Sequence, residues 1–152
     1  DGGFDSGDFD VRKAAQHALI EDKIDTFQSF VWQYDSGLRA LASRGCADFA
    51  VMRGLEYNLT IMEEDAQYMK DYIGFISNGY IDYRFNLGEK INSAQDRSAD
   101  FGTALDLVPK DCLDGNARDT LFTQGHSGNA NQGAALIEVK EQYDVMMNNA
   151  LY

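Results

Sequence analysis

Apolar side chains in the first third of the chain recur at alternating spacings of four and three residues: Ile20, Ile24, Phe27, Val31, Tyr34, Leu38 and Leu41. A stripe with that repeat stays on one side of an α-helix and marks helices that lie nearly parallel to a partner. Val11, Ala15, Ala18 and Leu19 extend it upstream in a slightly rotated phase. A first helix is therefore expected over about 10–44, opening near Asp8 or Asp10 and closing at Arg44 with Gly45 behind it. Residues 1–8 are expected to be flexible. Gly37, within Asp35-Ser36-Gly37, is the weak point of the run and a candidate kink.

Met52, Leu55, Leu59, Met62, Ala66, Met69, Ile73 and Ile76 repeat the pattern in a second run, with Asp48 available to cap its start. The register carries on through Tyr80, Tyr83 and Leu87, so periodicity alone permits one helix as far as Gln95. Length argues for a break. At about 1.5 Å per residue, helices over 10–44 and 47–77 span about 52 and 46 Å and match as a hairpin, whereas one reaching 95 overshoots by about 25 Å. Ser77-Asn78-Gly79 supplies turn chemistry where the hairpin should end.

The two cysteines, Cys46 and Cys112, point the same way. Cys46 lies at the hairpin tip. An unbroken helix would carry residue 95 about 73 Å from it. The next 17 residues extend about 60 Å at most. A turn at Gly79 brings the chain back and makes a Cys46–Cys112 bridge easy.

A returning helix is thus expected over about 80–95, followed by a loop-rich stretch over 96–128 that holds Pro109 and a short helix near Ala117–Phe122. Phe101, Leu105, Leu107 and Val108 are expected to pin this stretch to the bundle. Leu136, Val139, Tyr143, Met146 and Ala150 repeat the seam in a last helix over about 130–150, with Asn129 or Asn131 as its cap. The predicted fold is an all-α, single-domain bundle over 1–152, built on a long antiparallel hairpin.

Composition adjusts this picture in three ways. A formal net charge of −12, with 13 basic residues scattered among 25 acidic ones, argues against nucleic acid and anionic membranes as partners. Solubility is the ordinary reading of such acidity, and a cationic partner is the sharper one. No apolar run approaches a membrane span. The chain begins at Asp1 rather than methionine, carries the sequon Asn58-Leu59-Thr60, and has an even cysteine count. Together these lead us to expect a secreted protein with Cys46–Cys112 bridged and Asn58 as the candidate glycosylation site.

Catalytic chemistry finds little footing. His17 falls on the seam of the first helix and reads as a core or cap histidine, and His126 lies in Gly125-His126-Ser127-Gly128. No His pairs with another at i+4 and no Glu-x-x-His occurs, so zinc-hydrolase and di-iron patterns are absent. Glu63-Glu64-Asp65 points three ways around a helix and reads as a solvated face. The acidic stretches Asp5–Asp10 and Asp111–Asp119 lack a calcium loop's distal glutamate. No metal or cofactor is expected, and an enzyme using the 96–128 loop with His126 ranks last.

The long helices also carry apolar residues beside the seam: Phe30 and Trp32 on the first, Ile61, Tyr68, Tyr72 and Phe75 on the second. Later segments cover them, or they form an interaction face. The functional expectation is a secreted, non-enzymatic interaction or structural protein acting through such faces, by self-assembly or on a protein partner. The alternative is a carrier holding an apolar small molecule between its helices.

Overall fold

The computed structural model describes residues 6–125 and 131–148. Helix α1 runs over Ser6–Arg44, α2 over Phe49–Ser77, α3 over Tyr83–Leu105, the single turn α4 over Gly115–Arg118, and α5 over Asn131–Met147. A 3₁₀ turn at Lys110–Cys112 precedes α4, and a π-type turn at Asp119–Thr123 follows it. The described residues contain no strand.

The α1 and α2 seams form the core. Every α1 seam residue from Ile20 to Leu41 is buried, as is every α2 seam residue from Leu55 to Ile76, while Met52 packs at the edge. The upstream phase differs from expectation. Val11 and Leu19 face solvent, and His17 instead continues the inward stripe. α1 also starts earlier than Asp8, so of the segment expected to be flexible, residues 6–8 are helical and 1–5 lie outside the described residues. Gly45 and Gly79 close α1 and α2 with positive φ, a conformation that glycine adopts without Cβ strain. Asp48 leads into α2 through its backbone carbonyl, which accepts from Met52 N at 2.9 Å, and its side chain makes no capping bond.

α1 continues unbroken through Gly37. The glycine is a notch. A Cβ there would lie 2.5 Å from Leu121 Cγ, so the missing side chain is what lets the π-type turn lie against α1. Gly37→Ala should therefore destabilise the fold by about 1–3 kcal/mol through overpacking. Replacing a glycine in an open helix would instead stabilise by up to about 1 kcal/mol. Urea denaturation decides the sign, and adding Leu121→Ala should relieve part of the loss.

The largest correction concerns residues 96–105. They are helix, not loop. Leu87, Ile91, Ala94, Ser98, Phe101 and Leu105 are all buried and keep the alternating four–three spacing to the end of α3. The returning helix therefore runs along α2 well past Gln95. Leu107 is 68% exposed and pins nothing, whereas Val108, Cys112 and Leu113 are buried. Cys46 and Cys112 are bridged, with Cα atoms 5.9 Å apart, and Arg44 pairs with Asp114 at 3.1 Å beside them. The short helix expected near 117–122 corresponds to α4 and the π-type turn.

α5 fills the remaining side of α1 with Ala135, Leu136, Val139, Tyr143 and Met146. Polar contacts fix its position. Lys23 pairs with Glu138 at 3.1 Å, and the Tyr143 hydroxyl donates to the Arg84 carbonyl at 2.9 Å. The buried Tyr34 hydroxyl donates to Gln132 Oε1 at 2.6 Å, tying α1 to the start of α5, while its ring stacks on Phe101. Burial pushes the Tyr34 phenol well above its ordinary pKa, so it remains a neutral donor.

Candidate functional site

His17 and Ser77 come closest to a catalytic constellation, with Nδ1 and Oγ 3.1 Å apart where the start of α1 meets the end of α2. Here burial and the Lys13 ammonium both push the His17 pKa below its ordinary 6.5. The contact ties α1 to the end of α2. Its linkage has a definite sign. The unfolded chain takes up a proton near pH 6.5 that folded His17 refuses, so stability falls as the pH drops through that value. Thermal melts between pH 7.5 and 5.5 should show this slope, and His17→Gln should flatten it.

The acidic run on α2 divides by direction. Glu63 turns toward α1, where burial and Asp35 raise its pKa. Glu64 is exposed. Asp65 is not part of a solvated face. It is 3% exposed and accepts from Ser93 Oγ at 2.6 Å across the α2–α3 interface, with its pKa raised by that burial. Among the described residues no group of three or more His, Cys, Asp or Glu side chains could hold a metal ion. His126 lies outside the described residues.

Asn58 also lies in the α2–α3 interface. It is 7% exposed, and its Oδ1 accepts from Arg97 at 3.3 Å.

The apolar residues beside the seams separate into two groups. On α1, Phe30 packs against the edge of the core, and Trp32 stands exposed. On α2, Tyr68 and Phe75 face outward, while Ile61 is half-buried and Tyr72 packs against the core edge. Tyr68 stacks on Tyr72 with ring centroids 6.0 Å apart, Tyr72 stacks on Tyr83 at 5.6 Å, and Phe75 meets Tyr83 at 4.8 Å. Lys90 lies 4.5 Å over the Tyr68 ring and Arg97 lies 5.5 Å over the Tyr57 ring, both reaching from α3. Tyr80 and Phe85, at the α2–α3 turn and the start of α3, are also exposed. Sequence reading assigned Tyr83 to the seam and overlooked Tyr57. Tyr57 stands four residues before Ile61, eleven before Tyr68 and eighteen before Phe75. At 3.6 residues per turn, those intervals return to nearly one line along a helix.

A second feature is an open groove between α3 and α5 of about 520 Å³, lined by Ser98, Ala99, Thr103, Gly133, Ala134 and Ile137 among others. Among the described residues, no helix is long and apolar enough to cross a membrane. No protein-family model, curated protein or solved structure matches the chain.

Proposed function

We propose that this chain is a non-enzymatic interaction or structural protein of an oxidising, extracellular compartment, acting through the exposed aromatic face of α2 and its turn into α3. The observation that carries this reading is the joined set Tyr68, Tyr72, Phe75 and Tyr83, with Tyr68 and Phe75 more than two-fifths exposed. Large aromatic rings left beside water on rigid helices cost solvation that docking recovers, and such rings dominate contact energy at protein interfaces. The Cys46–Cys112 bridge supports an oxidising compartment.

The test is the assembly state of protein purified natively, by sedimentation velocity, compared with a Tyr68→Ser/Phe75→Ser variant of unchanged helicity. The expected result is a larger species in native material that the variant fails to form. A bare monomer, with no co-purifying chain, would overturn the proposal.

The α3–α5 groove favours a second reading, that of a carrier for an apolar small molecule. Its volume lies within the range of small-ligand sites. The seam interior is filled with large side chains, so a ligand would lie in this groove rather than at the bundle centre. Native mass spectrometry that finds no bound molecule in protein from its source would remove this reading.

A further inference from the structure

The outward face of α2 carries a second seam. Tyr57, Ile61, Glu64, Tyr68, Asp71 and Phe75 follow one another at spacings of 4-3-4-3-4. All are exposed except Ile61, which is half-buried. They form a row about 27 Å long. That is the spacing by which a helix receives another helix. One set of alternate positions is apolar or aromatic (Ile61, Tyr68, Phe75), and the other holds Tyr57 and two carboxylates, Glu64 and Asp71. Glu64, Gln67, Tyr68 and Asp71 line a shallow recess of about 290 Å³, in which Asp71 accepts from Gln67 at 3.0 Å. The nearby cations Lys90 and Arg97 are held over the rings of Tyr68 and Tyr57.

Resting on the interaction reading above, we infer that this seam receives a basic amphipathic helix from another protein, with Lys or Arg repeating every seven residues opposite Glu64 and Asp71 and apolar side chains between them. A second copy of the chain fits poorly. Paired in parallel, the row sets Glu64 on Glu64 and Asp71 on Asp71. Paired antiparallel about its midpoint, it sets Glu64 on Tyr68 and Asp71 on Ile61. The parallel arrangement sets like charges together, and the antiparallel one desolvates Asp71 against apolar Ile61 with no opposite charge, a burial that ionised carboxylates resist. A partner with cations at the matching seam positions supplies that charge, and a chain of net charge −12 attracts it over longer range.

The test uses the full chain, ¹⁵N-labelled, and synthetic helical peptides of about three heptads. One peptide carries Leu at one seam position and Lys at the other, and a second carries Gln in place of Lys. The Lys peptide should shift amide resonances along residues 57–75, and Glu64→Lys/Asp71→Lys should weaken its binding by at least about tenfold. The control Glu21→Lys/Asp22→Lys, an equal charge change at exposed α1 positions, should weaken it by less than about threefold. Equal weakening by both variants would reduce the effect to net charge and overturn the inference. If the Gln peptide binds this face as tightly, the cationic partner falls and the docking face stands. If neither peptide shifts residues 57–75, both fall. A dimer of the chain lost on Phe75→Ser would make a second copy the occupant and overturn the inference.

Discussion

Replacing both cysteines with serine should lower stability by about 4 kcal/mol, the loop-closure value for a bridge of this span. Cys46 and Cys112 are 66 residues apart in sequence, and the closed loop contains all of α2 and α3. The bridge removes much of the unfolded chain's freedom, so its loss acts mainly through the unfolded state. It is also the covalent tether that brings the segment after α3 back to the hairpin tip, beside Arg44 and Asp114. For a domain of this size, that loss corresponds to a fall in melting temperature of about 10 °C. Thermal and urea denaturation of Cys46→Ser/Cys112→Ser, compared with the parent protein with and without reductant, would measure it. A change under about 1 kcal/mol would show that the tip holds itself together without the bridge.

Phe101→Ala should be comparably damaging, at about 3–5 kcal/mol for a fully buried aromatic. The Phe101 ring is entirely inaccessible and stacks on Tyr34, whose hydroxyl anchors α5 through Gln132. Emptying this position therefore leaves a cavity against α1 and loosens the point where α1, α3 and α5 meet. Leu107→Ala, six residues along and largely exposed, should change stability by less than about 0.5 kcal/mol. The contrast between the two substitutions, read from urea midpoints, tests whether α3 continues as a packed helix to Leu105. Similar small effects would mean that residues 96–105 lie loosely on the bundle.

Much of the fold was legible in the order of residues. The seams of α1 and α2 are long runs of large apolar side chains, and that of α5 is shorter with the same spacing, so each marks the side of its helix that is buried. The break at Ser77-Asn78-Gly79 and the bridge between Cys46 and Cys112 followed from helix length and chain reach. The end of α3 was harder to read because its seam passes through Ala94 and Ser98, which are small or polar. Those positions are buried because α2 and α5 lie close to α3, and closeness of that kind is a tertiary fact.

The candidate surface was legible only in part. Tyr68 and Phe75 stood out as apolar residues beside a seam, but so did Phe30 and Tyr72, which pack at the core edge, and Trp32, which stands apart on α1. Asp65 read as part of a solvated face and Asn58 as a candidate glycosylation site, yet both are buried because α3 lies on that side of α2. The sequence by itself determined which residues share a line along each helix, since helical geometry is local and repeats every 3.6 residues. Only the tertiary structure decided which of those lines is covered. Covering depends on where the other helices come to rest, and they left one side of α2, from Tyr57 to Phe75, facing solvent.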